Sequence, residues 1–284
     1  MLTVSQAISS VIIGLVQAIS EWLPISSKTQ VLIASQYLLN LSFTQAYTFG
    51  LFMEIGTVVA AILYFRKEVW TLLRVLFMKD KSTEGRNLFK YVLIATIATG
   101  IIGTPLYILS DSLTSVPLGI PMMIIGLVLI GDAVVIRHSR IKQREGTNTR
   151  KFKDLGLKEY IVIGFMQGLA ALPGVSRSGI TTSTLLLMKV EPDESFRLSF
   201  VIGIFAAIAA FSLTIIKSRA NVMAALSQIG ITGMLVAIVV AAIVSLFLID
   251  FLIKIAGKSK IVYLTAALGI IAISGGIIYM VFGI

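Results

Sequence analysis

Leu172-Pro173-Gly174-Val175-Ser176-Arg177-Ser178-Gly179-Ile180-Thr181 lies between two apolar runs, residues 160–172 and 180–190. Each run is shorter than the roughly 20 apolar residues that a helix needs to cross a bilayer. A proline, two glycines, three hydroxyl side chains and an arginine therefore fall in the middle of membrane-like sequence. An ionisable group at that depth is expensive, which marks Arg177 as a functional residue before it is read as a structural salt-bridge partner. Glycine-rich backbone leading into a helix start collects unpaired N–H groups and the helix dipole at one spot, a ready anion site. The planar guanidinium adds a fork of donors matched to phosphate oxygens. The stretch reads as a phosphate site inside a membrane.

The rest of the composition agrees. The 284 residues are 57% hydrophobic and 13% charged, with a mean hydropathy of +0.95. The expected class is an all-α polytopic membrane protein. The net charge of +10 invites a nucleic-acid reading, but the basic residues fall in short loops between apolar segments. Positive-inside topology accounts for that pattern, and no nucleic-acid partner is expected. There is no cysteine, hence no disulfide or thiolate chemistry. The N-terminus has no basic n-region, so no cleavable signal peptide is expected.

Six runs are long enough to span a membrane, near 44–65, 89–109, 118–136, 196–216, 229–253 and 261–282. Two further apolar regions, 4–39 and 157–190, are broken by Pro, Ser and a charge, a pattern that suits re-entrant helix–loop–helix hairpins buried in protein. The two resemble each other. Gly14-Leu15-Val16-Gln17 aligns with Gly164-Phe165-Met166-Gln167, and Leu23-Pro24 followed by Ser26-Ser27 aligns with Leu172-Pro173 followed by Ser176-Arg177 after a one-residue slip. Three candidate spans follow each copy, and an odd number of crossings turns the copies to face opposite ways. The expected plan is one membrane domain, 1–284, built as an inverted-topology repeat. Its first unit is 1–138, its linker 139–156 and its second unit 157–284. With 66–90 taken as cytoplasmic, 20 of the 24 Lys and Arg fall on one side, leaving Lys217 and Arg219 opposite and Lys28 and Arg177 in the broken regions. That bias puts the linker inside, both termini outside, and the first broken region entering from outside. The loops 66–90 and 137–159 are expected to be solvated and to touch anionic head groups.

The first broken region carries the partners for Arg177. Gln17 and Glu21 are four apart and share a helix face. That face points at Ser26-Ser27 if the helix ends near Pro24. A carboxylate there can hold a divalent cation or take a proton from a nucleophile, or can simply pair with Arg177 or Lys28. Ser27 reads equally as nucleophile or anion donor. Glu54 lies mid-span, with site and packing roles both open. Asp132 and Asp250 sit near span ends and read as interfacial, and Gln167 as a bond across helices. His138, the one histidine, stands among basic loop residues, which excludes a phosphohistidine route and histidine-built zinc sites.

With these residues in view, the chain resembles the undecaprenyl-diphosphate phosphatase family, also known for bacitracin resistance. The anchors are Glu21-Trp22-Leu23-Pro24-Ile25-Ser26-Ser27 and the 173–181 stretch, and the likeness runs over nearly the whole chain. It implies six spans plus two re-entrant hairpins. It also implies removal of the terminal phosphate from a long-chain polyprenyl diphosphate with a divalent cation, Mg or Ca, for recycling of the lipid carrier. By that resemblance Glu21, Ser27 and Arg177 are catalytic, and Glu21 and Glu54 hold the metal. Gln17, Ser26, Gln30, Gly174, Ser176, Ser178, Gly179 and Thr181 line the substrate. The family normally has a glutamate where Gln17 stands and a histidine where Gln30 stands. Glu54 falls where relatives commonly carry glutamine or histidine, and can restore the lost carboxylate. The site is expected to open to the outer face of the cell membrane. The alternative from another class is a transporter or flippase of polyprenyl phosphate, which inverted repeats with broken helices also fit. The glycine-rich 269–283 run can pack within one chain or between chains, which leaves a homo-oligomer open.

Overall fold

The computed structural model describes residues 3–23, 25–77, 82–109, 119–144, 149–172, 175–256 and 260–282. Within them the elements are helices α1 (Val4–Trp22), α2 (Ser27–Leu39), α3 (Phe43–Tyr64), α4 (Arg66–Phe77), α5 (Thr83–Leu109), α6 (Gly119–Arg144), α7 (Leu157–Gly168), α8 (Arg177–Leu187), α9 (Pro192–Lys217), α10 (Arg219–Ala256) and α11 (Lys260–Phe282), with two short 3₁₀ turns, Phe152–Asp154 and Leu169–Ala171. No strand occurs among the described residues; Arg150 and Val190 make an isolated bridge.

Local signals set the boundaries. Thr3 and Gln6 form a reciprocal cap at the start of α1, and Ser42 and Gln45 repeat it at α3, each satisfying N–H groups that have no partner within the helix. α1 stops where Leu23 turns extended, as the residue before a proline prefers. α9 opens with Pro192, whose missing N–H costs nothing at that position. α10 is broken at Gly230, which takes φ +74°, a conformation that strains any residue with a side chain.

Six described helices are long and apolar enough to cross a membrane: Val4–Trp22, Phe43–Tyr64, Thr83–Leu109, Pro192–Lys217, Arg219–Ala256 and Val262–Val281. This set differs from the sequence expectation in one member. α1 qualifies by length although it belongs to a broken region, while in α6 the described apolar run is Met122–Gly131. The described part of 66–90 is helical. It is α4 followed by the start of α5, and α4 exposes Trp70, Leu73, Leu76 and Phe77 beside Arg66, Lys67 and Arg74. The expected linker likewise begins later, since α6 runs through Arg144.

α1 and α3 pack on α10, α7 packs on α5, α3 lies against α9, and α6 pairs with α11. Small residues let these backbones meet, since helices in lipid associate by close packing. A Cβ on Gly14 would lie 2.6 Å from the Ala237 carbonyl oxygen of α10, and one on Gly164 would run into the Ala95 carbonyl of α5. Gly269 and Gly276 of α11 meet Gly126 and Gly119 of α6, so that stripe is used within the chain. Gly164→Val is expected to destabilise the fold by about 1–3 kcal/mol through overpacking, read as a lowered midpoint of thermal unfolding in detergent. At the centre, Trp22 meets Phe200 edge-on with centroids 4.9 Å apart, fastening the end of α1 to α9.

Candidate active site

Glu21 sits in the last turn of α1, with its i−4 neighbour Gln17 donating Nε2–H to Glu21 Oε2 at 3.0 Å. The chain then reverses. Ser26 takes a left-handed conformation, φ 62°, and α2 begins at Ser27. That reversal brings the Ser27 hydroxyl onto the same Glu21 Oε2, 2.6 Å away. The i, i+4 spacing and the proline stop together account for a buried carboxylate held between an amide and a hydroxyl.

The second broken region supplies the cation. Ser176 caps α8 by accepting the Gly179 N–H at 3.2 Å, so Arg177 is the helix's first residue and its side chain leaves from the hairpin tip. Arg177 Nη2 pairs with Glu21 Oε1, and Nη1 pairs with Glu54 Oε2 at 3.2 Å. Gly203 of α9 lies beside the guanidinium; a Cβ there would be in ordinary contact with Arg177 Nε at 3.6 Å. The side chains of Glu21 and Glu54 are each 3% exposed and that of Arg177 13%. A buried ion cluster of this kind is a poor source of stability, because desolvation offsets the attraction. Its presence calls for a chemical reason.

That reason is the cavity it closes. A pocket with roughly 650 Å³ of empty space, its open mouth included, is lined by Arg177, Glu54 and Lys28. Its walls are Thr96, Thr99, Gly100 and Gly103 of α5 and Ala206, Ala209 and Ala210 of α9, and it extends toward Tyr107 and Leu213. Glu21 bonds the Arg177 guanidinium that lines this cavity, and Ser27 bonds Glu21 in turn.

The other expected site residues have definite places. Gln17 Oε1 is buried with no partner. Ser26 Oγ shares a hydrogen bond with Thr29 Oγ1 at 3.0 Å. Gln30 Nε2 turns back to the Ile25 carbonyl at 3.2 Å. Ser178 donates to the Glu21 carbonyl at 3.1 Å, joining the start of α8 to the end of α1. Thr181 donates to the Arg177 carbonyl at 2.7 Å and also meets Ser199. Ser176, Ser178 and Thr181 thus build the frame that aims Arg177. Gly174 and the side chains of Asp132 and His138 lie outside the described residues. Gln167 donates to Thr99 Oγ1 at 3.0 Å, a bond across helices, and Asp250 meets Tyr64 at 3.3 Å and Lys254 at 2.5 Å near the end of α10.

Residues absent from the expected set also reach the cavity. Tyr47 OH donates to the Ala171 carbonyl at 2.7 Å, and Lys28 Nζ donates to the Ala170 carbonyl at 2.7 Å. An ammonium within apolar sequence is itself a signal. Tyr47, sitting at a helix start, carries none.

A family model described as bacitracin resistance protein BacA matches residues 10–273. A protein named undecaprenyl-diphosphatase from Saccharolobus solfataricus is 50% identical over 270 residues, covering 94% of this chain and 95% of its own. Relatives of the same name from Sulfurisphaera tokodaii and Pyrobaculum aerophilum are 49% and 35% identical, covering 93% and 95% of this chain and 94% and 97% of their own. These names carry hydrolysis and none carries transport. With a match over nearly its whole length, the chain belongs to the BacA bacitracin resistance family.

Proposed function

We propose that this protein removes the terminal phosphate of a long-chain polyprenyl diphosphate, as the name undecaprenyl-diphosphatase states for its relatives, and releases polyprenyl phosphate for re-use as a lipid carrier. One observation carries the reading: Arg177 from the second broken region, lining a cavity, bonds Glu21 from the first, and the same carboxylate accepts the Ser27 hydroxyl. Phosphoryl transfer asks mainly for positioning and charge stabilisation. The guanidinium supplies the charge, and an arriving phosphate competes with the two carboxylates for its N–H groups. Ser27 Oγ–H already donates to Glu21, so the carboxylate is placed to take a proton from Ser27 or from a water beside it. The nucleophile attacks the terminal phosphorus, the bond to the bridging oxygen breaks, and the lipid phosphate leaves with that oxygen. If Ser27 attacks, water then cleaves the phosphoserine. The prenyl tail lies in the bilayer or along the apolar walls between α5 and α9.

The donor set fits a hard divalent cation such as Mg or Ca. Glu21 and Glu54 converge on one guanidinium, and the unpartnered Gln17 Oε1 is a third oxygen. These are the residues that would hold the ion, which when bound neutralises phosphate oxygens. Among the described residues no group of three or more His, Cys, Asp or Glu forms a site of its own, so an amide has to complete the set.

The inverted repeat, with 4–39 and 157–190 re-entrant and units 1–138 and 157–284, is supported by the packing. α1 lies on α10 as α7 lies on α5, while α3 pairs with α9 and α6 with α11, the exchange expected when two like units are related by a two-fold axis. The cavity extends toward Tyr107, which bonds Ser218 at 3.1 Å. Ser218 lies between Lys217 and Arg219 on the side poor in basic residues, and this favours opening to the outer face. The test is direct: detergent-purified protein is given a polyprenyl diphosphate with Mg²⁺ or Ca²⁺, and released phosphate is assayed. One phosphate per lipid is expected, and no release with either ion overturns the reading.

A further inference from the structure

We infer that Lys28 is a substrate-binding residue of this site, holding the phosphate that stays on the lipid while Arg177 holds the one that leaves; the inference rests on the hydrolytic reading above. Lys28 is 5% exposed. A buried ammonium costs several kcal/mol unless it is paired and fully hydrogen-bonded. Among the described residues no carboxylate lies within 4.0 Å of it, and its one bond there is to the Ala170 carbonyl. Three N–H donors with one used leave two for a ligand. Lys28 also lines the end of the cavity together with Arg177 and Glu54, so those donors stand beside the space an anion enters.

Charge and placement give the ligand. Glu21 and Glu54 are matched by Arg177 and Lys28 when the site is empty. Arg177 is shared by both carboxylates and Lys28 by neither, so Lys28 is the cation that a phosphate gains without displacing anything. Ser27 and Lys28 are consecutive residues at the start of α2, about 100° apart around the helix. Ser27 faces Glu21, and Lys28 faces the Ala170 wall. Ser27 and Arg177 bond the same Glu21 carboxylate, which assigns the phosphorus that Ser27 attacks to Arg177. The neighbouring phosphate, one bridging oxygen away, falls to Lys28, whose flexible stem suits a point-charge contact.

The test compares purified wild type, Lys28→Met, which keeps the stem and drops the charge, and Lys28→Arg. Farnesyl monophosphate, which carries only the lipid-side phosphate, and inorganic phosphate are titrated by calorimetry, and farnesyl diphosphate turnover is measured alongside. Lys28→Met is expected to bind farnesyl monophosphate about tenfold or more weakly, the scale of one charge-assisted hydrogen bond. Inorganic phosphate binding should stay the same, KM for the diphosphate should rise more than kcat falls, and Lys28→Arg should restore most of the loss. Unchanged farnesyl monophosphate binding in Lys28→Met overturns the assignment. So does equal loss of both ligands, which would make Lys28 only a tie between hairpins. Should Lys28→Met not fold, Lys28→Gln gives the same reading. If wild type binds farnesyl monophosphate through Lys28 yet releases no phosphate from any diphosphate, hydrolysis and the Arg177 half of the assignment fail, while the contact of Lys28 with the lipid-side phosphate stands.

Discussion

Arg177→Ala is expected to slow phosphate release by about 100-fold or more, the scale of losing a principal charge-stabilising donor in a water-poor site. The guanidinium is the only group in the described site bonded to both Glu21 and Glu54. Its removal takes away transition-state stabilisation and leaves two carboxylates facing each other in a buried space. The second effect can itself cost about 3–5 kcal/mol of stability, as when one partner of a buried ion pair is deleted. Turnover is therefore read from initial rates on material whose thermal midpoint and elution are measured in parallel. Arg177→Lys keeps the charge but loses the planar fork that reaches two carboxylates at once, and it is expected to recover only part of the rate.

Glu21→Ala is expected to produce a loss of similar size, about 100-fold, for a different reason. Glu21 Oε2 accepts from both Gln17 and Ser27, while Oε1 takes Arg177. The substitution removes the hydrogen-bond acceptor of Ser27, the proposed cation ligand and the anchor of the guanidinium together. Because Glu54 still holds Arg177 at 3.2 Å, substrate affinity should suffer less than kcat. A fall in kcat with KM within a few-fold of wild type is the signature of an interaction made mainly in the transition state.

Much of this was legible in the chain itself. Arginine, glutamate and lysine inside apolar runs announce a site because burial makes them costly. The Leu-Pro stops and hydroxyl-rich restarts marked where α1 ends and where α2 and α8 begin, and the i, i+4 spacing joined Gln17 to Glu21. What stayed hidden has physical causes. The meeting of Arg177 with Glu54 spans 123 residues and depends on how α3 and α8 pack, which no local pattern encodes. Ser176, Ser178 and Thr181 look like phosphate donors in sequence, yet their hydroxyls bond the backbone and each other, because short hydroxyl side chains compete for nearby N–H and C=O groups. The periodic apolar edge Trp70, Leu73, Leu76 and Phe77 was masked by the charges interleaved in α4, which average its hydropathy toward neutral. Gly230 reads in sequence as one more glycine in an apolar span; only its positive φ shows that it breaks α10.

Two hairpins delivering a guanidinium and a carboxylate to one anionic head group is the claim on which the mechanism stands. A double-mutant cycle tests it most directly: phosphate release from a polyprenyl diphosphate is measured for Glu21→Ala, Arg177→Ala and the two combined. Groups that act as one unit give non-additive losses, so the double variant should be about as slow as the slower single one. Losses that multiply, with all three proteins folded, would mean that Glu21 and Arg177 act independently and would contradict a shared site.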